Sequence, residues 1–335
     1  MSTSPQMIAI TFSGGLGLAS YHAGVYEAFT RQSLPLHWVT GSSAGAVTAA
    51  LIAGNPVADR LACLKAFWRC PPTDRADTDW WRHLYGWMAA IETRLAGSAG
   101  FFRPRFPDID PFRFRSFYDL APMRERLSSL VDFGRLNGGE PRISIAATDI
   151  ESGEPVIFDS VQDKLEMDHL LASCGYLPEF APVEVGGRLL GDGGLSINAP
   201  FDPILNAQVD GDLLLYVIDL YPRDGDRPCS LEATIERKGD LTFANQTLVR
   251  LEYLAEMRAL RKSLRQLTDA KDRIILLSYR PGMEEPGPEK SFELSASGFA
   301  QRWRTGRLDM EYAQTLQPKQ GITKVRRPGK SSSRA

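Results

Sequence analysis

The chain has 335 residues, 43% of them hydrophobic and 24% charged, with a formal net charge of −2, the profile of a globular protein that can bury a sizeable core. So balanced a charge argues against nucleic acid as a main partner. Four scattered cysteines (Cys63, Cys70, Cys174 and Cys229) with no C-x-x-C pair read as reduced thiols, not as a disulfide frame or zinc site.

Residues 7–12 form a short apolar run bounded by glycine and without a basic leader, which predicts a buried first strand, not a secretory signal. No stretch approaches the roughly 20 apolar residues of a membrane span. A soluble, cytoplasmic protein is therefore expected, with peripheral contact with lipid left open. A glycine loop, Ser13-Gly14-Gly15-Leu16-Gly17, leads into a helix with Val25, Ala28 and Phe29 at helical spacing. Residues 36–40 give a second strand, and Gly41-Ser42-Ser43-Ala44-Gly45 carries the chain into a small-residue helix. Strand, loop, helix, strand, tight turn, helix is the opening of a parallel α/β sheet. Asn55-Pro56 then reads as cap and first turn of a helix running to Trp68.

Aromatic residues crowd the stretch from Trp80 to Phe117, which includes Trp81, Tyr85, Trp87, Phe101, Phe102, Phe106, Phe112 and Phe114. This insertion, about 75–118, reads either as a satellite core or as an apolar wall for an acyl chain. Strands are expected at 142–147 and 155–159, joined by Glu151-Ser152-Gly153-Glu154, and a helix over 165–174. Two short strands turn at Gly186-Gly187. A central strand over 213–220, an amphipathic helix over 240–267 and a strand over 273–279 come next. Residues 292–310 are expected to help complete or cover the sheet, and within them 295–307 either pack back on the core or mark a partner surface. The basic tail, 316–335, is expected to be disordered, with attraction to anionic lipid as its sharper reading. The prediction is one three-layer α/β/α domain over 1–315 with a mainly parallel central sheet.

The chemistry starts from Gly41-x-Ser43-x-Gly45, the build of a nucleophile elbow, although short Gly/Ser/Ala turns are common. A serine nucleophile needs a base and an oxyanion site. Of four histidines, His22, His37, His83 and His169, none lies late enough for a Ser-Asp-His order, which leaves only a rearranged triad through His83 or His169. Gly191-Asp192-Gly193-Gly194 offers a carboxylate in a glycine frame, either a structural turn or a base whose pKa burial must raise. The glycine loop offers backbone N–H groups of Gly14, Gly15, Leu16 and Gly17 for an oxyanion. Its rival reading, dinucleotide binding, lacks the third glycine, where Ser20 stands, and the acid after the second strand.

These three pieces, in this order, together with Tyr21-His22-Ala23-Gly24-Val25, Ala147-Thr148-Asp149 and Leu177-Pro178-Glu179-Phe180-Ala181-Pro182, resemble the patatin-like phospholipase family over about residues 8–200. The resemblance implies lipid acyl hydrolysis by a Ser43 and Asp192 dyad without histidine, metal or cofactor, on a lipid or other acyl ester. A general carboxylesterase or polyester depolymerase with the same dyad is one alternative. A catalytically idle lipid-binding protein is another. The loop departs from the family pattern, with Leu16 for the third glycine, Leu18 for a basic residue and Ala19 for the last glycine. Leu16 is expected to avoid positive φ, leaving Gly17 to absorb the bend.

Overall fold

In a computed structural model, the structure describes residues 7–68, 79–105, 115–208, 211–266, 271–282, 285 and 287–328, the side chains of 79–83 excepted. In chain order the elements are β1 (Met7–Phe12), α1 (Ser20–Thr30), β2 (Trp38–Ser42), α2 (Ala44–Ala53), α3 (Arg60–Trp68), α4 (Asp79–Ala96), β3 (Arg103–Pro104) and β4 (Tyr118–Asp119). Then come α5 (Ala121–Ser128), α6 (Phe133–Leu136), β5 (Arg142–Asp149), β6 (Pro155–Asp159), α7 (Met167–Ser173), β7 (Val183–Val185) and β8 (Arg188–Asp192). The chain closes with α8 (Asp202–Asn206), β9 (Leu213–Asp219), α9 (Leu231–Leu264), β10 (Asp272–Ser278), α10 (Ala296–Thr315) and β11 (Gly321–Val325). Among the described residues, 3-10 turns at Leu16–Ala19, Gly193–Leu195 and Gly287–Phe292 interrupt this series.

The main sheet runs β11-β10-β9-β1-β2-β5-β8-β7, with β6 also paired to β5. From β11 to β5 every pairing is parallel, whereas β6, β8 and β7 pair antiparallel. Alternation along the strands builds the two flanking layers. Ile8, Ile10 and Phe12 share one core with α1, α2, α3 and α10. Ala9, Leu213, Leu215 and Val217 face the other side, against Ile204 and Leu205 of α8 and Leu248, Leu251 and Leu254 of α9. Both faces are covered, as a largely parallel sheet requires.

Several expectations are corrected. Asn55 does not cap the next helix: its Nδ2 donates to the carbonyls of Leu51 and Leu130, closing α2, and α3 starts only at Arg60. The long helix begins at Leu231, where Ser230 Oγ accepts from Ala233 N–H as its cap. The expected disordered tail is in part a strand, because residues 321–325 complete the open edge of β10 in parallel register and bury Val325. Residues 329–335, Cys70, Phe106, Phe112 and Phe114, with the side chains of Trp80 and Trp81, lie outside the described residues.

Residues 296–315 pack on the core as α10, laid against α1. The two backbones touch through glycine: a methyl group added at Gly24 would lie 1.8 Å from the Trp303 carbonyl oxygen, and one at Gly306 2.1 Å from that of Tyr21. Trp303 Nε1 donates to Glu27 and Tyr21 OH to Asp309 across the same contact. Gly24→Ala should therefore force the helices apart and lose about 2–3 kcal/mol of stability despite alanine's better helix propensity, read as a lower urea midpoint.

Candidate active site

Ser43 stands between the end of β2 and the start of α2 with φ 54° and ψ −127°, a left-handed conformation that a serine holds only when its surroundings enforce it. Crowding explains the flanking glycines. A Cβ at Gly41 would lie 2.3 Å from the Gly45 carbonyl, and one at Gly45 2.2 Å from that of Phe12. Ser43 N–H donates to Ser173 Oγ at 2.9 Å, and Ser173 Oγ donates to the Ala146 carbonyl at 2.6 Å. The turn is thus tied to β5 and α7.

Asp192 ends β8. In the register of β5, Ser42 faces Ala146 and Asp192 faces the next residue, Ala147. Because β6 covers the other edge of β5 over 144–148, β2 and β8 meet end to end along one edge. The serine and the acid arrive together, with the Ser43 side chain near enough to the Asp192 carboxylate to favour its ionised form. Oδ1 of Asp192 also accepts from Gly194 N–H at 2.7 Å, and Thr148 Oγ1 donates to the Asp192 carbonyl at 2.8 Å. A Cβ at Gly193 would lie 2.4 Å from the Ala146 oxygen and 2.5 Å from Ser42 Oγ, which accounts for glycine there.

Asp192 is 2% exposed. Burial pushes its pKa up to about 7, against the opposing pull of the Ser43 side chain and the Gly194 hydrogen bond. Burial raises Asp219 to about 7 as well, but Asp219 does not line the cavity that holds Ser43. A raised pKa alone therefore does not select the base; the contact with Ser43 does.

The glycine loop lies beside Ser43, with a Cβ at Gly14 placed 3.1 Å from that of Ser43. Two expectations fail there. Gly14 N–H donates to the Asn198 carbonyl at 3.0 Å, so it is not free for an oxyanion. Leu16 does adopt positive φ, 48°, after Gly15 at 156°, while Gly17 does not. Leu16 and Gly17 open the 3-10 turn, where the first N–H groups have no partner within the turn. Among the described residues, the N–H groups of Gly15, Leu16 and Gly17 are unpartnered.

None of the histidines described at side-chain level lines the cavity. His22 is wholly buried against Phe12, and burial pushes its pKa down to about 3. His37 Nδ1 accepts from Ile8 N–H, and His169 Nδ1 accepts from Glu166 N–H to cap α7. The His83 side chain lies outside the described residues. Among the described residues no group of three His, Cys, Asp or Glu side chains is disposed to hold a metal, and no helix is long and apolar enough to cross a membrane.

Ser43 and Asp192 open into a cavity of about 500 Å³ walled by Phe67, Trp68, Phe101, Phe102, Phe180 and Phe292. The aromatic insertion thus contributes to this wall through Phe101 and Phe102, while its Leu84, Trp87 and Met88 stay exposed. Charged groups sit elsewhere on the wall, with Lys290 Nζ 2.6 Å from Asp240 Oδ1. Sequence reading missed Ser173 and Asn198. Asn198 is 2% exposed and holds two glycine segments, its Oδ1 packing against Gly14 and Gly194. Its place six residues after Asp192, just before Ala199-Pro200, was the available signal.

A family model described as patatin-like phospholipase matches residues 10–205. The chain belongs to the patatin-like phospholipase family. That segment of the patatin-like chain contains the glycine loop, the Ser43 turn and Asp192, whereas β9, α9, β10, α10 and β11 lie beyond it. Among solved structures it is similar to VipD from Legionella pneumophila, at 14% identity over 93% of this chain and 68% of that one, with a TM-score of 0.43. It is also similar to ExoU from Pseudomonas aeruginosa, solved in complex with SpcU, at 18% identity over 77% of this chain, with a TM-score of 0.31. The match spans about half of ExoU's length, 53%. No curated protein matches the chain in sequence.

The raised pKa of Asp192 makes a stability prediction. Between the ordinary carboxylate range and about 7 the folded state keeps a proton that the unfolded state has lost, so this residue costs increasing stability as pH rises through that window and a constant amount above it. Asp192→Asn should therefore raise Tm, with a gain over wild type that is small near pH 4 and largest above pH 7. Thermal melts from pH 4 to 8 read this out.

Proposed function

We propose that this patatin-like chain is a serine acyl hydrolase that cleaves carboxylic esters of lipids, of phospholipase A or lysophospholipase type. The observation that carries the reading is the buried Asp192 carboxylate against Ser43 at the mouth of an aromatic-walled cavity. Ser43 Oγ attacks the ester carbonyl and Asp192 takes its proton. The negative charge that develops on the carbonyl oxygen is met by N–H groups of Gly15, Leu16 and Gly17, helped by the positive end of α2. Asp192 returns the proton to the leaving alcohol, then draws a proton from water as that water attacks the acyl-enzyme and passes it to Ser43 Oγ as the acyl–serine bond breaks and the carboxylic acid leaves.

A solvated aspartate is too weak a base for this work. Burial removes that objection by bringing the carboxyl near neutral pH, where it both accepts and returns a proton readily. The strained turn serves the same end, since it holds Ser43 out of the strand and at the head of α2. A cavity of about 500 Å³ lies within the range of small-molecule sites, and its aromatic wall suits an acyl chain. This favours lipid esters over short polar ones.

The wild type should be labelled by a fluorophosphonate probe, and Ser43→Ala should lose the label and about 10³-fold or more in kcat. Asp192→Asn should lose a comparable factor while remaining folded. The wild-type kcat on phospholipid vesicles should climb about tenfold per pH unit below 7 and level off above it, since Asp192 acts in its ionised form. Absence of labelling in a folded wild type, or full turnover by Asp192→Asn, contradicts the proposal. Faster turnover of short p-nitrophenyl esters than of phospholipid would move the assignment to a general esterase.

A further inference from the structure

The strained loop is held from outside the family segment. Arg302, on α10, is fully buried, and its guanidinium uses its fork of donors in three directions. Nε and one terminal nitrogen donate to the two oxygens of Glu285 at 2.8 and 2.6 Å, and the latter nitrogen also lies 2.8 Å from Glu293 Oε2. The same group reaches the carbonyls of Lys290 at 3.0 Å and Glu293 at 2.7 Å. Its remaining direction ends on the Gly17 carbonyl at 3.3 Å.

Gly17 is gripped from the same side. A Cβ there would lie 2.4 Å from Leu294 Cδ2, 3.0 Å from the Ser291 carbonyl oxygen and 3.1 Å from that of Glu293. Ser20 Oγ supplies a second donor to the Gly17 carbonyl, also at 3.3 Å. Leu18, the next residue, is fully buried and brings no charge. The cation beneath this loop therefore comes from α10, some 285 residues along the chain.

We propose that Arg302 is a positioning residue for the oxyanion loop, holding the Gly17 carbonyl and the 290–294 segment together so that the N–H groups of Gly15, Leu16 and Gly17 keep the arrangement the reaction needs. This rests on the acyl-hydrolase reading of Ser43. A left-handed leucine persists only where neighbours over-determine it, and Arg302 ties the next residue to a buried network. Its planar fork reaches carboxylates and carbonyls at once, which a lysine ammonium cannot do. The loop meets the substrate oxygen as negative charge develops, so loosening it acts on kcat and leaves ground-state binding in the aromatic cavity intact.

The test compares wild type, Arg302→Lys, and a variant combining Arg302→Met with Glu285→Gln and Glu293→Gln. The combined variant leaves no uncompensated buried charge and so keeps the fold accessible. Hydrolysis of a p-nitrophenyl ester gives kcat and KM, a fluorophosphonate gives the rate of Ser43 phosphonylation, and a melt gives Tm. The positioning role predicts that kcat and the phosphonylation rate fall together, about 10- to 100-fold, with KM within about twofold of wild type in both variants. A folded combined variant with wild-type kcat, or one in which KM rises while kcat holds, overturns it. If the wild type itself neither turns over nor is phosphonylated, the acyl-hydrolase reading fails and the positioning role with it. An active wild type with an unimpaired Arg302→Lys defeats the positioning role alone.

Discussion

Everything at this site depends on how one strand is shared. β5 gives Ala146 to the end of β2 and Ala147 to the end of β8, and two strands arriving from opposite directions stop against each other. The turn after β2 carries Ser43, and the last residue of β8 is Asp192. A one-residue slip of β8 on β5 would turn the acid to the other face of the sheet. Ser173, Thr148 and the tight packing at Gly193 all reinforce this register.

Such a meeting point is costly to fold. Ser43 and Leu16 sit at positive φ, each costing about 1–3 kcal/mol, and Asp192 is buried where its charged form is disfavoured. Stability comes from elsewhere. The two cores on either face of the sheet and the glycine-mediated contact between α1 and α10 form a packed frame around the strained residues. The segment beyond the family match belongs to that frame: β9 pairs directly with β1, α10 covers α1, and Arg302 reaches back to Gly17. The strands β9, β10 and β11 extend the same sheet that β1 and β2 belong to.

Legibility in the sequence tracks the range of the interaction. The Ser43 turn was readable because the crowding that demands Gly41 and Gly45 is local to one strand-to-helix junction. Asp192 was readable through its glycine frame and through the want of a late histidine. Other features depend on partners far away in the chain. Gly14 N–H is used by Asn198, 184 positions on. Leu16 takes a left-handed conformation against intrinsic preference because segments near residues 220 and 290–302 enclose its loop. The strand at 321–325 has little signal of its own and forms because β10 presents an open edge. In each case tertiary context overrides local propensity.

The central claim is that Ser43 is a nucleophile facing donors from Gly15, Leu16 and Gly17. A crystal structure of the protein inactivated by a long-chain alkyl phosphonate tests it most directly. The account predicts phosphorus bonded to Ser43 Oγ, the phosphonyl oxygen about 2.7–3.1 Å from at least two of those three nitrogens, and the alkyl chain along Phe101, Phe102 and Phe180. Phosphorus on another residue, or a phosphonyl oxygen turned away from the loop, would contradict it.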